Sequence, residues 1–452
     1  MHPLHPLPPF TNRKEIPMQE WLRDRIYSSA VGPSLYGAEV VLAGWIQDIR
    51  NLGGIAFIQL RDREGTTQLT AIKKEDRELF KQLVSLNRES VIAVKGLVKE
   101  NKEAPGGVEV LPRVMEVHSQ AQAPLPMGVV DKVGVELDTR LNSRFMDLRR
   151  PETAAIFRIR ASVLKGIRSL LESERFIEVH TPKIVATATE GGTALFPVQY
   201  FETKAFLNQS PQLFKQMMMA TGFDRVFEIG PAFRAELHDT VRHLNEFTSI
   251  DIEMAFTDEE GAMGVLERCL QAAVRTVLEE RSKELALLGL QLEPPAIPFQ
   301  RITYSRCIEM AKSKGINVEW GQDLEMDACK AVAQETKGFY FITRWPSAIK
   351  PFYAQPFEDS PKESRAFDLM FAEKEITSGA QRVHDVDILT SRLKEQGLDP
   401  VGFEFYLQAF RYGMPPHAGW GLGAERAVMI LTGRDNVREC VLFPRDRKRL
   451  SP

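Results

Sequence analysis

The sequence predicts a multidomain α+β protein, with a small β-barrel ahead of a larger region that mixes strands and helices. Five short segments between residues 39 and 117 alternate apolar and polar side chains, with a helical stretch after the third; this order is typical of a small barrel. Residues 247–253 also alternate, and the segment 227–229 leads into 233–236; the two read as an antiparallel pair joined by a polar loop. A chain of 452 residues has room for two or three domains.

Composition limits the classes of function. Lys and Arg total 58 against 61 Asp and Glu, a net charge of −3, so we expect any RNA to meet a local basic patch instead of a globally basic surface. The four cysteines, Cys269, Cys307, Cys329 and Cys440, form no C-x-x-C pair, which argues against a disulfide framework or a zinc knuckle. Because no apolar run approaches roughly 20 residues and no secretory signal is present, we expect a soluble, cytoplasmic protein without a membrane partner.

The first region, residues 38–125, follows a Pro-rich extension at 1–37 that has no assigned role. Its five strands and single helix predict a Greek-key barrel of the OB type. Alternation assigns Ala56, Ile58 and Leu60 to the core face of the second strand. The side chains expected on the outer face of the second and third strands are Phe57, Gln59, Arg61, Thr66, Gln68 and Thr70. OB barrels bind single-stranded nucleic acid on this face by base stacking and hydrogen bonds.

The predicted hairpin brings several charged side chains and an aromatic ring to one face. The residues sharing that face are Arg234, Glu236, Phe247, Ser249, Asp251 and Glu253. Guanidinium groups of Arg234 and Arg242, with His243, suit a polyphosphate because they match phosphate oxygens bidentately. Phe247 offers a flat surface for a purine. The alternative is a solvated hairpin with a surface salt bridge.

The segments FRAE, RHLNEF and IDIE of this hairpin resemble the second signature motif of class II aminoacyl-tRNA synthetases. That resemblance implies a catalytic domain over residues 151–452, built on an antiparallel sheet flanked by helices, in which the hairpin holds ATP bent over an amino acid. It also implies catalytic roles for Arg234, Glu236 and Arg426. The implied ATP-binding residues are Arg234, Ala235, Glu236, Arg242, His243, Leu244, Phe247, Glu375, Gly423, Ala424, Glu425 and Arg426.

Residues 126–150 lack periodicity and predict a linker, after which Pro151 starts a helix. The apolar stripe of that helix is Ile156, Ile159, Val163, Ile167, Leu170 and Leu171. The helix, the strand FIEVHTPKI and Pro182 resemble the first class II signature, which forms the dimer interface in the family and implies a homodimer. Arg175 stands where relatives more often have Gly. The alternative is an ordinary core helix and strand that needs no partner.

An amino-acid pocket is implied by several further segments. Residues 188–196, ATEGGTALF, resemble the family's flipping loop, with Glu190 near the substrate ammonium, and Gln212 and Lys215 lie one helical turn apart in NQSPQLFKQ. In the resemblance, Lys215 and Arg382 bring two cations to the substrate's side-chain carboxylate. The complete implied aspartate-binding set is Glu190, Gln212, Leu213, Phe214, Lys215, Arg234, Asp251, Ser378 and Arg382.

A magnesium site is indicated by Asp368 and Glu375, which lie seven residues apart and fit adjacent antiparallel strands joined by a turn at 372–374. Paired carboxylates facing a polyphosphate suit Mg²⁺, and the resemblance assigns them this role with Ser378 nearby. Residues 423–426 open an apolar helix and resemble the third class II signature, in which Arg426 would hold the γ-phosphate. Residues 258–345 show no metal or nucleophile pattern.

Residues 38–125 resemble the anticodon-binding domain of the class IIb group. Arg50, Phe57, Gln68 and Glu109 fall where aspartyl enzymes read the anticodon. In relatives that reject tRNA-Asn, a bulky aromatic and a Lys stand where this chain has Gln47 and Pro105. We therefore expect relaxed recognition of tRNA-Asp and tRNA-Asn; the alternative is that Gln47 itself reads the last base.

Taken together, the motifs identify the chain as a member of the archaeal-type aspartyl-tRNA synthetases. The family's reaction is activation of L-aspartate by ATP with Mg²⁺, followed by transfer to tRNA. Three alternatives stay open: an asparaginyl-tRNA synthetase, a tRNA-independent asparagine synthetase paralogue, and a non-catalytic RNA-binding protein on a synthetase scaffold. The paired cations favour a carboxylate substrate over an amide, since an amide would leave buried charge unpaired.

Overall fold

A computed structural model describes residues 20–130, 134–186, 194–237 and 240–452. The chain divides into two compact units, residues 1–133 and 134–452. Glu190, predicted to lie near the substrate ammonium, falls outside the described residues. None of the helices in the described ranges combines the length and apolar character of a membrane-spanning segment.

The first unit contains a closed barrel in the order β1-β2-β3-β5-β4, as predicted for an OB-type fold. Its elements are β1 Glu39–Asn51, β2 Ile55–Arg61, β3 Thr66–Ile72, α1 Arg77–Val84, β4 Val91–Glu100 and β5 Val108–Ser119. Ala56, Ile58 and Leu60 are buried in the barrel core, which confirms the assigned face. Alternation alone therefore oriented β2 correctly.

Two of the predicted outer-face side chains are buried. Arg61 forms an ion pair with Glu89 at 2.7 Å, and both side chains are almost inaccessible to solvent. Thr70 is buried too, and its hydroxyl donates to the Glu109 carboxylate at 2.5 Å. The expectation of an exposed Arg61 was wrong because a carboxylate distant in sequence covers it.

The second unit is built on an eight-stranded sheet in the order β12-β13-β14-β15-β16-β11-β10-β6, with a small β7-β9-β8 sheet beside it. Its strands are β6 Ile177–Glu178, β7 Ile184–Val185, β8 Pro197–Tyr200, β9 Thr203–Leu207, β10 Arg225–Phe233, β11 Glu246–Ala255, β12 Gln300–Thr303, β13 Phe339–Pro346, β14 Glu363–Phe371, β15 Lys374–Gln381 and β16 His417–Gly423. The large sheet is antiparallel except at its ends, where β6 pairs parallel with β10 and β12 with β13. The predicted hairpin is β10 and β11.

Helices flank this sheet. They are α2 Leu137–Asn142, α3 Arg144–Asp147, α4 Pro151–Ser173, α5 Gln212–Met219, α6 Glu259–Glu280, α7 Ser282–Leu288, α8 Tyr304–Ser313, α9 Met326–Ala333, α10 Val386–Glu395, α11 Glu404–Arg411 and α12 Ala424–Leu431. The apolar stripe of α4 is buried in one core with residues of α6 and the central strands. The stripe is thus covered by the chain itself and needs no second subunit.

The strand predicted from FIEVHTPKI is interrupted. Only β6 and β7 are extended in ladders, and exposed Pro182 lies between them. Proline has no amide hydrogen for a ladder bond, which explains the break. Ile177 and Ile184 remain largely exposed on these two short strands.

The segment predicted as a linker has structure of its own. Residues 137–147 form α2 and α3, and residue 134 begins the second unit. Arg144 is fully buried, is ion-paired with Asp147, and donates to the carbonyls of Val441 and Leu442. Charge pairing and carbonyl contacts hold this segment, and such contacts leave no apolar periodicity in the sequence.

Arg175 ends α4 in the left-handed conformation, with φ of 67°. The amide of Phe176 then donates to the carbonyl of Leu171 at 2.9 Å, as in helix ends that normally use Gly. Arg175 is exposed. A side chain at this backbone geometry costs roughly 1–2 kcal/mol.

We therefore predict that Arg175→Gly raises the free energy of unfolding by about 1 kcal/mol, because Gly adopts this conformation without the Cβ clash. Urea unfolding of the two proteins measures the difference. Glu172→Gly, at an exposed helical position in the last turn of α4, is the matched control and should destabilise by about 1 kcal/mol. A loss of stability in Arg175→Gly would contradict the strain argument.

Candidate active site

A cavity of about 310 Å³ opens on the face of the large sheet, walled by the β10–β11 hairpin, β15, β16 and the segment before β14. Most of the predicted substrate residues line it. They are Gln212, Arg234, Glu236, Arg242, His243, Leu244, Phe247, Asp251, Glu375, Ser378, Arg382, Gly423, Glu425 and Arg426. The sequence-based grouping thus corresponds to one continuous surface.

Besides Lys215 and Asp368, four predicted contact residues do not line this cavity. Leu213 belongs to an apolar core, and the Phe214 ring packs 6.5 Å from the ring of Phe405, in a separate groove. Ala424 is fully buried, and the amide of Ala235 already donates to the carbonyl of Ala194. These four residues belong to the motifs but do not line the cavity, and their direct contact with substrate stays a prediction.

The hairpin end of the cavity holds the groups suited to a nucleotide. The Arg234 guanidinium lies 5.3 Å from the centre of the Phe247 ring, a cation–π contact that leaves a flat, positively charged surface. Arg426 donates to the backbone carbonyl of Glu375 at 3.0 Å, and Arg242 lies 3.4 Å from the carboxylate of Glu373. Three guanidinium groups therefore converge where a polyphosphate could be bound.

Glu425 stabilises the fold in addition to lining the cavity. Its carboxylate accepts the amide of Thr248 on β11 at 3.1 Å and pairs with Arg160 of α4 at 2.9 Å. This side chain ties the third signature to the second and to α4. Sequence reasoning missed Arg160, since nothing in the helical pattern marks its partner.

A network of four buried charges lies at the other end of the cavity. Lys215 Nζ is 2.9 Å from Asp251 Oδ1 and 3.6 Å from Glu253, and it also donates to the carbonyl of Trp420. Arg382 holds Glu253 through Nε and Nη2 at 2.9 and 3.3 Å. Two cations and two carboxylates balance, so the network is internally neutral.

Of the two cations, only Arg382 lines the cavity. The donors of Lys215 face Asp251, Glu253 and a carbonyl, whereas Arg382 Nη1 has no hydrogen-bond partner among the described residues. In this arrangement Lys215 does not line the cavity and is joined to it through Asp251, so contact of both cations with the substrate carboxylate stays a prediction.

A chain of hydrogen bonds orients Gln212, another wall residue. His417 Nδ1 is 2.8 Å from the carbonyl of Pro415, so Nδ1 carries the hydrogen and Nε2 accepts from Gln216 Nε2 at 3.0 Å. Gln216 Oε1 then accepts from Gln212 Nε2 at 2.8 Å. The Gln212 amide is thereby fixed with its nitrogen inward, leaving its oxygen for the cavity.

The predicted metal carboxylates lie on β14 and β15, joined by the expected turn. Asp368 is paired in the ladder with Ser378, and Glu375 lines the cavity. Asp368 does not line it: the carboxylate is 2% exposed and its Oδ2 lies 2.5 Å from Lys350 Nζ, which does. The prediction that both carboxylates face the cavity is corrected, because Lys350 covers one of them.

The oxygen atoms at this site suit a hard cation as metal ligands. Asp368 Oδ1 is buried and has no hydrogen-bond partner in the described part of the chain, and carboxylate and hydroxyl oxygens are what Mg²⁺ prefers. Burial raises the pKa of Asp368 above its ordinary value, an effect that Lys350 opposes. No cluster of three or more metal-binding side chains occurs among the described residues, so a metal here needs phosphate oxygens as well.

On the barrel, the predicted anticodon residues lie on neighbouring strands. Arg50 and Phe57 face each other in the β1–β2 ladder, and Gln68 lies on β3. Glu109 on β5 is held by the hydroxyl of Thr70. The barrel therefore brings an aromatic ring, a cation, an amide and a carboxylate to adjoining strands.

The two positions associated with tRNA discrimination are both irregular in backbone. Gln47 lies at a break in the β1–β2 register, between Ile46 and Asp48, as in a β-bulge. Pro105 begins a short 3-10 turn before β5. Neither carries a cation or an aromatic plane.

The buried His417 predicts a pH dependence of stability. Burial lowers its pKa to about 4 from an ordinary value of 6.5. Between these values the unfolded chain binds one more proton than the folded chain, so the free energy of unfolding falls as pH drops through this window, by up to about 3 kcal/mol. Above pH 6.5 the contribution is fully present.

Urea unfolding of the wild type and of His417→Asn at pH 7 and pH 4.5 measures this effect. We expect the wild type's advantage at pH 7 to shrink at pH 4.5, since the variant lacks the titrating ring. A difference between the two proteins that stays constant with pH would refute the assignment.

Comparison with known proteins places the chain in a family. Residues 136–447 match the family described as tRNA synthetases class II (D, K and N), and residues 40–117 match the OB-fold nucleic acid binding domain. The chain is 57% identical over 429 residues to the aspartate–tRNA(Asp/Asn) ligase of Archaeoglobus fulgidus, with 95% of this chain and 100% of that protein covered. The corresponding ligase of Methanocaldococcus jannaschii is 56% identical over 434 residues, with 96% and 99% covered.

Solved structures agree with this placement. Asparaginyl-tRNA synthetase from Pyrococcus horikoshii, complexed with asparaginyl-adenylate, superposes with a TM-score of 0.89 at 35% identity, covering 95% of this chain and 99% of that one. A putative aspartyl-tRNA synthetase from Leishmania major gives a TM-score of 0.83 at 29% identity, covering 99% and 97%. The chain therefore belongs to the class II tRNA synthetases for aspartate, lysine and asparagine, as a member of their aspartate–tRNA ligase family.

Proposed function

We propose that the chain activates L-aspartate with ATP and Mg²⁺ to give aspartyl-adenylate and pyrophosphate, and transfers the aspartyl group to both tRNA-Asp and tRNA-Asn. The observation that supports the choice of amino acid is Arg382, a buried guanidinium in the cavity wall whose Nη1 has no hydrogen-bond partner among the described residues. The two relatives cited above are named for both tRNAs.

Selection of aspartate follows from the charges around the cavity. Arg382 supplies a fixed cation for the side-chain carboxylate, held in place by Glu253. An asparagine amide can offer only one neutral oxygen to that donor and turns its amino group toward the guanidinium, so its hydrogen bond lacks the charge assistance that a carboxylate gives. Asp251, held by Lys215 and by the Ser249 hydroxyl, is the wall residue that suits the α-ammonium.

Adenylate formation needs no covalent enzyme intermediate. The α-carboxylate attacks the α-phosphorus and pyrophosphate leaves, so the protein acts by positioning and by offsetting charge. Arg234 over Phe247 suits the α-phosphate and the purine, and Arg242 and Arg426 suit the outer phosphates. Mg²⁺, held by Asp368, Glu375 and Ser378, would neutralise developing charge on the phosphate oxygens.

For transfer, we propose that the barrel binds the anticodon through Arg50, Phe57, Gln68 and Glu109. Irregular Gln47 and Pro105 supply no fixed cation or large stacking plane, which favours tolerance of either C or U at the last anticodon base. We also propose a cytoplasmic homodimer, with exposed Ile177 and Ile184 at its interface. The stripe of α4 is covered within the chain and does not take part.

The competing functions have less support. An asparaginyl enzyme fits the overall fold equally well, but Arg382 in the wall disfavours an amide. A tRNA-independent asparagine synthetase would not need an RNA-binding barrel. A non-catalytic protein would not need Arg234, Arg426 and Glu375 around one cavity.

Arg382→Gln tests the amino-acid site. We expect kcat/KM for aspartate in ATP–pyrophosphate exchange to fall at least about 100-fold, or about 2.7 kcal/mol, because the carboxylate loses its cation. The dissociation constant for ATP should change less than about threefold. Arg365→Gln, which breaks an ion pair with Glu259 outside the cavity wall, is the matched control. Equal losses for aspartate and ATP would show that Arg382 does not select the amino acid.

Charging of purified tRNA-Asp and tRNA-Asn tests the proposed breadth. We expect comparable kcat/KM for the two tRNAs, and Phe57→Ala should lower both together because stacking is tolerant of sequence. A preference for tRNA-Asp above about 100-fold, worth about 2.7 kcal/mol, would mean that the last anticodon base is read.

A further inference from the structure

Lys350 is an active-site residue that none of the signature motifs marked. It lies between the 3-10 turn Ser347–Ile349 and Pro351, lines the cavity, and contacts Asp368 Oδ2 at 2.5 Å. Its ammonium also lies 4.0 Å from the ring of Trp345. The carboxylate proposed to bind Mg²⁺ is therefore already neutralised by a cation that belongs to the protein.

The second observation concerns the other oxygen of the Asp368 carboxylate. Asp368 Oδ1 is buried and has no hydrogen-bond partner in the described part of the chain, a costly state for a charged acceptor. Ser378 lies directly across the ladder, and Glu375 lies in the cavity wall nearby. The Ser378 hydroxyl also acts on this carboxylate and opposes the rise in the pKa of Asp368. The site thus keeps one carboxylate oxygen paired with Lys350 and has the other beside Ser378, where a cation could bind both oxygens.

We propose that Lys350 is the resident counter-ion of the metal subsite: it holds Asp368 in the free enzyme and, when nucleotide and metal enter together, releases Asp368 and donates to a phosphate oxygen instead. This inference rests on the proposed function, which assigns Asp368 to Mg²⁺. Lys350 is accordingly a positioning and phosphate-contacting residue in the same site.

Charge balance is the reason for an exchange of partners. Without nucleotide, Asp368 cannot remain buried and unpaired, and Lys350 provides the compensating charge. A divalent ion beside Lys350 would be repelled by it, so metal alone is held weakly. ATP brings several negative charges into the cavity that Lys350 lines. The Lys350 ammonium can then pair with phosphate oxygens while the metal binds the Asp368 carboxylate.

The local structure permits this movement. The carbonyl of Lys350 accepts from Gln396 Nε2 at 2.8 Å, a contact that a movement of the side chain need not break. Only the flexible four-carbon stem has to turn, and leaving Trp345 gives up one cation–π contact. Departure from the indole ring also makes the movement visible to fluorescence.

Calorimetric titration with Mn²⁺ in the absence of nucleotide tests the proposal. Lys350→Met should bind Mn²⁺ at least about tenfold more tightly than the wild type, because the competing cation is gone. Adding Asp368→Asn to that variant should abolish the gain. The control is Lys374→Met, which removes a lysine from the β14–β15 hairpin that carries Asp368. Lys374 lies 3.7 Å from the fully exposed Asp435, and this variant should bind like the wild type.

Unchanged Mn²⁺ affinity in Lys350→Met would overturn the proposal. If that variant does not fold, Lys350→Gln takes its place, because the amide keeps a hydrogen bond to Asp368 without the charge, and the same tightening is expected. Aspartate-dependent ATP–pyrophosphate exchange by the wild type separates the two hypotheses: exchange with no tightening refutes the role of Lys350, and absence of exchange refutes the proposed function.

Fluorescence of Trp345 gives an independent reading. Adding ATP with Mg²⁺ should change the emission of the wild type as the ammonium leaves the ring. Trp345→Phe and Lys350→Met should each lose this component of the change. A signal that survives in Lys350→Met would contradict the movement.

Discussion

The active site depends on one interaction, the buried network in which Lys215 and Arg382 are balanced by Asp251 and Glu253. Four charges with little access to water are tolerable only because each has an opposite partner at short range. The network ties α5 to β11 and β11 to the end of β15. It thereby fixes the amino-acid end of the cavity while remaining electrically neutral.

The surrounding strands are shaped to admit these side chains. A Cβ on Gly419 would lie 2.2 Å from the carbonyl of Ile252 and 2.3 Å from Glu253 Oε2. Only Gly lets β16 pass so close to Glu253. The Gly-rich third signature therefore makes room for the charge network as well as for a ligand. At the phosphate end of the cavity, Lys350 balances the buried charge of Asp368 in the same way.

Much of this arrangement was predictable from local pattern. Alternation found the barrel core around Ile58 and the common face of Phe247 and Asp251, because strand periodicity reports which side chains share a side. The signature motifs predicted the cavity-wall residues that lie within those motifs. What local pattern could not supply was pairing between distant segments: Arg61 with Glu89, or Lys350 with Asp368. Such pairs depend on tertiary contacts and leave no period in the sequence.

The central claim is that the charge arrangement around Arg382 makes this an aspartate-activating enzyme. ATP–pyrophosphate exchange by the wild type, with aspartate and asparagine compared at equal concentrations, tests it most directly. The account predicts exchange that favours aspartate by at least about 100-fold, since a neutral amide gives the buried guanidinium a weaker hydrogen bond than a carboxylate does. Equal exchange with the two amino acids, or faster exchange with asparagine, would contradict it.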